Sequence, residues 1–410
     1  MAGRDRSEVV EVIPGELAWT SSDQTPHDSS TRRYFNIDSE LCYEPFVSDF
    51  GPLSLAATWR YCRKLEKLLA MEAGRRTVVH VCGTHPHKKA NAACLAAAFL
   101  VICRNYRPDR AWLPFSSQNF IPFRDATYGN HSADLPIIDV LRGLKKGMQL
   151  GWFDYKTFDP ESFEFYERVE NGDFNWIIPG KMLAFAGPSM TSRDQDGYEA
   201  CTPEYYSPIF KREGISLVVR LNKPSYDRQR FITRGIKHLE LYFADGSCPS
   251  KAIVERFLSV ADAEPGALAV HCKAGLGRTA TLIGLFAMKN YDISAEEFVG
   301  WARLARPGSI LGPQHEFLRE MEPTMKQARR QNVAEANSQV LYPPVSQHRV
   351  RARDLVSPDS PYGKEDRGQG ERLVSAKRAA QSTGSSPVRT PGSSPARSPA
   401  RLCHGLRTRQ

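Results

Sequence analysis

The sequence predicts an α/β protein: two consecutive sheet-and-helix units, an acidic joining segment and a basic polar tail. Three observations carry this reading. Apolar runs of strand length alternate with helix-period stretches over most of the chain. A set of evenly spaced glutamates interrupts that alternation near residue 160. Beyond about residue 333 the composition turns to Ser, Pro, Arg and Gly, which cannot bury enough apolar surface to offset its ordering entropy.

Taken in order, residues 1–30 are polar and irregular and are expected to be a flexible N-terminus. Residues 31–155 form the first unit. Leu55, Trp59, Cys62, Leu65 and Leu69 keep close to helical period, and residues 77–82 read as a buried strand. Residues 90–104 read as a buried helix, and Ile137, Leu141, Leu144 and Met148 mark another. Residues 156–176 form the joining segment, where Glu161, Glu164, Glu167 and Glu170 would make an acidic stripe on a short helix. The plain reading of the stripe is a solvated face. The second unit covers residues 177–331. Its strands are expected at 182–185, 217–221, 239–243 and 267–271, and its helices at 250–262, 278–291 and 294–305. The last helix opens with Ser294 and Glu297 at capping-box spacing. Residues 332–410 are expected to be a disordered tail.

Composition narrows the function classes. The chain has 410 residues, 41% of them hydrophobic, which is enough for two ordinary domains. The longest apolar run, residues 90–103, is too short for a membrane span. No secretory signal pattern opens the chain, so an intracellular protein is expected. The formal charge is +9, and about +7 of it lies beyond residue 333. The folded part is therefore nearly neutral, and specific nucleic-acid binding is not expected. Nine cysteines without paired spacing fit free thiols in a reducing compartment. His80, His85 and His87 lack the partners of a zinc site, and no metal is expected.

The chemistry concentrates at His271-Cys272-Lys273-Ala274-Gly275-Leu276-Gly277-Arg278-Thr279. The Cys-to-Arg spacing alone is weak, since Cys403 and Arg409 share it in the tail. Context decides for Cys272. An apolar strand delivers it to a turn, Gly275 and Gly277 allow successive N–H groups to point inward, and a helix starts at about Arg278. The helix N-terminus adds positive potential, making a cradle for a dianion that Arg278 can grip through two oxygens. The same field favours a thiolate at Cys272, able to attack phosphorus. Thr279 could ease the sulfur's departure. Asp245, in Phe243-Ala244-Asp245-Gly246-Ser247 just after a strand, is the candidate acid for the leaving oxygen.

These residues resemble the protein-tyrosine-phosphatase superfamily, whose signature is His-Cys-x5-Arg-Thr. Longer strings are similar to the cell-division-cycle-fourteen family of dual-specificity phosphatases. They are Val169-Glu170-Asn171-Gly172-Asp173-Phe174-Asn175-Trp176, Arg220-Leu221-Asn222-Lys223, the Asp245 string, and Arg306-Pro307-Gly308-Ser309-Ile310. Earlier segments match too: Ser48-Asp49-Phe50-Gly51-Pro52-Leu53, Lys89-Ala90-Asn91-Ala92-Ala93 and Pro122-Phe123-Arg124-Asp125-Ala126. The resemblance covers residues 34–317. It implies two tandem phosphatase-like domains, only the second catalytic. In agreement, six residues after Cys82 stands Lys88 rather than Arg.

The resemblance further implies Cys272 as nucleophile, Arg278 as phosphate clamp, Asp245 as general acid, and residues Lys273 to Gly277 as the phosphate-binding loop. It implies a preference for phosphoserine followed by proline and a downstream basic residue, received by a groove that includes Glu164 and Glu167. Gln314 would position the hydrolytic water. Reversal of cyclin-dependent-kinase phosphorylation in cell division is implied, as is placement in nucleus, nucleolus or cytoplasm, at a spindle pole, centrosome or basal body. No cofactor is implied. Ala280 departs from the family's usual Gly, His315 replaces a Gln, and residues 104–120 diverge.

Two other readings compete. A phosphoinositide phosphatase uses a similar loop but has a second Lys where Leu276 stands. A non-enzymatic phosphoprotein-binding scaffold would lack Cys272, Arg278 or Asp245, all of which are present. In the tail, Ser386, Ser394 and Ser398 each begin Ser-Pro-x-Arg, so proline-directed kinases are expected partners there. Once phosphorylated, the tail would resemble the enzyme's own substrates.

Overall fold

The protein is described here by a computed structural model covering residues 9–128, 133–193, 197–339 and 368–383. The first unit contains β1 (Val10–Ile13), β2 (Leu17–Ser21), β3 (Arg32–Phe35), α1 (Leu55–Glu72), β4 (Thr77–Cys82), α2 (Pro86–Cys103), α3 (Pro108–Trp112) and α4 (Ile137–Gln149). Its sheet has the order β1-β2-β4-β3, antiparallel between β1 and β2 and parallel elsewhere. The β-branched run Val78, Val79, Val81 suits a strand buried on both faces. α2 is apolar almost all round, and residues 92–102 are all buried, as a helix enclosed by its neighbours must be.

The first sheet starts earlier than the sequence suggested. Residues 10–21, expected to be part of a flexible N-terminus, form β1 and β2, joined through Gly15 at φ +72°. Leu17 and Trp19 are fully buried there. Glu11 inside β1 and Glu16 in the turn just before β2 mask two very short apolar strands.

The joining segment forms α5 (Pro160–Glu167), capped by Asp159, whose side chain accepts from the Ser162 N–H. The second unit follows with β5 (Phe174–Ile178), β6 (Met182–Phe185), α6 (Pro203–Arg212), β7 (Ile215–Arg220), α7 (Gln229–Ile232), β8 (Lys237–Glu240), α8 (Lys251–Ala263), β9 (Ala267–His271), α9 (Gly277–Asn290), α10 (Ala295–Ala305) and α11 (Gln314–Gln339). Its sheet runs β5-β6-β9-β7-β8, parallel except for β5. The capping box of α10 is formed: Ser294 Oγ accepts from the Glu297 N–H, and Glu297 accepts from the Ser294 N–H.

The two units share one apolar cluster. Its seam is α4 against α10, brought close by glycines. A Cβ on Gly143 would overlap the Glu297 carbonyl, one on Gly147 the Trp301 ring, and one on Gly300 the Asp139 carbonyl. Trp301, packed against Trp152, is anchored to its own unit by donating to the Ile177 carbonyl at 2.8 Å.

A last helix, α12 (Gln369–Thr383), lies within the segment expected to be disordered. Glu371, Arg372, Lys377 and Arg378 hide its few apolar residues from a compositional reading, and it is held by the Gly370 N–H on Asp245 Oδ2 (2.6 Å), Lys377 Nζ on Asp173 Oδ1 (2.5 Å) and Leu373 packed with Phe46, Ala126 and Leu276. Ser386, Ser394 and Ser398 lie outside the described residues.

Candidate active site

β9 is the middle strand of the second sheet, so its C-terminal end opens at the centre of the sheet edge. Cys272 follows it directly and is buried. The turn to α9 needs Gly275, which has φ +70° and sits so close to Phe185 that a Cβ would overlap the Phe185 carbonyl. Arg306 sets the loop's polarity. Its guanidinium donates to the carbonyls of Gly275 (2.9 Å) and Ala274 (3.0 Å), drawing those oxygens away from the loop's interior. The same group donates to Asn175 Oδ1 and Asp173 Oδ1 at 2.7 and 2.8 Å. A loop whose carbonyls are taken from behind is left to face its ligand with N–H groups.

Behind Cys272 runs a buried chain of polar rings. Burial pushes the His271 imidazole down to about 3, so the ring is neutral. His271 Nδ1 lies 2.9 Å from the Cys272 carbonyl, which can only accept, so Nδ1 carries the proton. His271 Nε2 therefore accepts from the Tyr226 hydroxyl at 2.7 Å. That hydroxyl in turn accepts from His238 Nε2 at 2.9 Å. The relay fixes the carbonyl of the candidate nucleophile without placing a charge beside it.

Arg278 is buried and aimed by two contacts. It donates to the Phe243 carbonyl at 2.9 Å, and its Nη2 is 3.1 Å from Asp245 Oδ1. The loop after β8 thus carries Asp245 over the turn that follows Cys272. Thr279 is fully buried, and its hydroxyl has no hydrogen-bond partner among the described residues. Gln314 packs against Gly277, with Oε1 accepting from the Leu311 N–H and Nε2 donating to the Ser247 carbonyl. The structure therefore brings together Cys272, Lys273 to Gly277, Arg278, Thr279, Asp245 and Gln314.

The first unit's equivalent turn is filled by its own carboxylates. Asp38 accepts from the Gly83 N–H at 2.7 Å and lies 3.4 Å from Lys88 Nζ. Asp23 accepts from both the N–H and the hydroxyl of Thr84. Burial pushes the Cys82 thiol up to about 12.

Two relatives locate the chain. It is 47% identical over 319 residues to mouse "Dual specificity protein phosphatase CDC14A", covering 77% of this chain and 53% of that one. It is 41% identical over 391 residues to mouse "Dual specificity protein phosphatase CDC14B", covering 89% of this chain and 80% of that one. The chain belongs to the CDC14 family of dual-specificity protein phosphatases. The family described as "Dual specificity protein phosphatase, N-terminal half" matches residues 11–147, and "Polymorphic toxin system, DSP-PTPase phosphatase" matches residues 193–290. The chain spans about half the length of the CDC14A relatives it matches. Among solved structures, "Crystal structure of Tk-PTP in the active form" is 20% identical and covers 37% of this chain and 96% of that one, with a TM-score of 0.31.

Within this CDC14 chain the acidic stripe divides. Glu164 turns to the first domain, where Arg60 donates to it at 2.7 and 2.8 Å, so its charge is spent on an interdomain pair. Glu167, half-buried, is pushed above the usual carboxylate range by desolvation, against the pull of nearby Lys377 and Arg306. Beside it sits Asp173, which the sequence reading did not assign. Burial works to raise Asp173, but Arg306 and Lys377 outweigh it and hold the carboxyl below its ordinary value. Asp173 and Arg306 each lie in one of the strings that carry the family resemblance, which was the available signal.

Proposed function

We propose that this chain is a cysteine-dependent protein phosphatase that cleaves phosphoserine, phosphothreonine and phosphotyrosine esters, preferring phosphoserine followed by proline and a downstream basic residue. The observation that carries the reading is the joint placement of Cys272, Arg278 and Asp245 at one sheet edge. The CDC14 relatives, named as dual-specificity protein phosphatases, support the reaction class.

In the first step the Cys272 sulfur attacks phosphorus as the bond to the leaving oxygen breaks, and Asp245 supplies the proton that oxygen takes. Arg278 and the loop N–H groups bind the equatorial oxygens as charge redistributes. In the second step water, positioned from the side of Gln314, gives a proton to the Asp245 carboxylate and attacks phosphorus as the S–P bond breaks, with the Thr279 hydroxyl stabilising the departing sulfur. Glu167 and Asp173 supply the negative potential for the basic residue of the substrate. Such sites are those that proline-directed kinases create, so reversal of cyclin-dependent-kinase phosphorylation during cell division is the proposed role. Those kinases are also proposed to act on Ser386, Ser394 and Ser398.

The test compares two phosphopeptides, phosphoSer-Pro-x-Arg and its Pro-to-Ala counterpart, with wild type and Cys272→Ser. Turnover that requires both Cys272 and the proline is expected. Turnover indifferent to the proline would discard the substrate class. Absence of Cys272-dependent turnover of either peptide by the folded wild type would overturn the reaction itself.

A further inference from the structure

We infer that Asp125, a residue of the first domain, is a positioning residue for the second step of the reaction: it holds the loop that aims Gln314 at the catalytic turn. The inference rests on the proposed phosphatase reading and adds to it a part for the first domain in the chemistry.

The loop between α10 and α11, residues 306–313, is held in its shape from outside. Ile310 has φ +64°, a left-handed backbone that a β-branched residue keeps only under constraint. Gly308 and Gly312 are left-handed on either side of it, at +80° and +55°. From the second domain, Arg303 donates to the Ser309 and Ile310 carbonyls at 3.2 and 3.3 Å. The other constraints come from the first domain. Asp125 Oδ2 accepts from the Gly312 N–H at 2.7 Å, across 187 residues of sequence. The Phe46 ring closes over Gly308, where a Cβ would lie 2.5 Å from it.

Asp125 can serve as an anchor because it is itself fixed. It is buried, and its Oδ1 accepts from the Thr127 N–H at 3.1 Å. Phe123, two residues earlier, exchanges both backbone hydrogen bonds with Leu135 at 2.9 Å. Burial lowers Arg303, and the charge of Asp125 is first among the groups that oppose it. One carboxylate thus steadies the loop's N–H and the guanidinium that holds its carbonyls. Two residues beyond Gly312 the loop delivers Gln314, also buried. Its Oε1 accepts from the Leu311 N–H at 3.1 Å and would lie 2.7 Å from a Cβ on Gly277, the first residue of α9. Its Nε2 donates to the Ser247 carbonyl, two residues after Asp245, and a second amide hydrogen is left for water. The carboxamide stands between the acid's loop and the catalytic turn, where water must give its proton to Asp245 and its oxygen to phosphorus as the S–P bond breaks. Without the Gly312 anchor Ile310 relaxes and Gln314 loses its aim. Arg278 and Asp245 keep theirs, because the Phe243 carbonyl and their mutual contact hold them.

The experiment uses the full chain with Asp125→Asn, which keeps the shape but removes the charge and one acceptor, and with Asp125→Ser, which withdraws from the Gly312 N–H. Hydrolysis of para-nitrophenyl phosphate is followed by stopped flow and in the steady state. Both variants are expected to release a burst of about one equivalent of nitrophenolate as the phosphocysteine accumulates. They should then turn over about tenfold slower than wild type, with KM falling in proportion, so that kcat/KM stays within about twofold. Adding Gln314→Ala to either variant should turn over no slower than Gln314→Ala alone, since Asp125 acts through that side chain. An equal loss of kcat and kcat/KM without a burst, or failure of both variants to fold, would make Asp125 a support of the fold alone and overturn the assignment. Kinetics unchanged from wild type in both variants would overturn it as well. No Cys272-dependent release by the folded wild type would overturn the phosphatase reading, and the assignment with it.

Discussion

Arg306 and Asp173 form a buried pair, Nη2 to Oδ1 at 2.8 Å, that joins the loop after Cys272 to the acidic segment following α5. One guanidinium holds the Gly275 and Ala274 carbonyls on one side and the Asp173 carboxylate on the other. The carbonyls of the loop after Cys272 and the carboxylate of Asp173 are therefore mechanically coupled.

Removing that group should affect both ends. Arg306→Ala is expected to cost about 3–5 kcal/mol of stability, because Asp173 would stay buried with Lys377 as its remaining cation. Arg306→Lys should fold better yet bind tungstate more weakly than wild type, since an ammonium cannot reproduce the planar grip on carbonyls and carboxylate together. Urea denaturation and calorimetric titration with tungstate measure the two effects. Wild-type values in both would show that the loop holds its shape without Arg306.

Gly275→Ala should be more damaging than its size suggests. The position has φ +70° and no room on the side of the Phe185 carbonyl. Strain of about 1–3 kcal/mol is expected, with most of the oxyanion affinity lost as the N–H groups turn out of register. Retention of tungstate binding would contradict this.

Acid should destabilise the fold through its buried histidines. His80 and His271 are held neutral by burial, each down to about 3, while in the unfolded chain they titrate near their ordinary value of about 6.5. Below that value the unfolded state binds more protons than the folded one, so stability is fully present above about pH 6.5 and falls as the pH drops toward 3. The urea midpoint is expected to decline steadily from pH 7 to pH 5. A flat profile would mean that both rings accept protons in the folded state.

The hydroxyl of Tyr226 should matter more than its ring. Tyr226→Phe keeps the packing but leaves a nitrogen of His271 and another of His238 without their bridge, at a cost of about 1–3 kcal/mol for unmet buried groups. Thermal unfolding reports the cost, and loss of the Cys272 carbonyl's orientation should appear as slower turnover. An unchanged melting temperature would show that the relay is not under load.

The interdomain seam predicts a sharp size limit. Gly143→Val would push a side chain into the α10 backbone at Glu297 and Trp301, with about 1–3 kcal/mol of overpacking and a loss of α4–α10 docking. Limited proteolysis between residues 150 and 160 should accelerate. Equal cleavage rates would show that the seam yields without cost.

Much of the second domain was legible from residues 267–279, because an apolar strand, two glycines and a helix start leave few alternatives for the backbone around Cys272. The strand at 77–82, the buried helix around Ala90 and the capping box at Ser294 were equally plain, each resting on a local pattern. What escaped was non-local. β1 and β2 are too short for a period to show, and their Trp19 is buried by α3-side aromatics such as Phe115 that lie far along the chain. Glu164 could be seen as acidic but not as the partner of Arg60, over a hundred residues away. α12 has the composition of a solvated segment, and its docking depends on Asp245, Asp173 and a pocket assembled from both domains.

The carboxylates of Asp38 and Asp23 give the first domain a built-in anion on the turn where the second domain would take phosphate. Restoring an arginine at Lys88 would therefore not create a second enzyme, since an incoming dianion would still meet two negative charges and a protonated Cys82. The practical reading is stoichiometric. However alike the two halves look in outline, an oxyanion titrated against the chain should saturate at one equivalent.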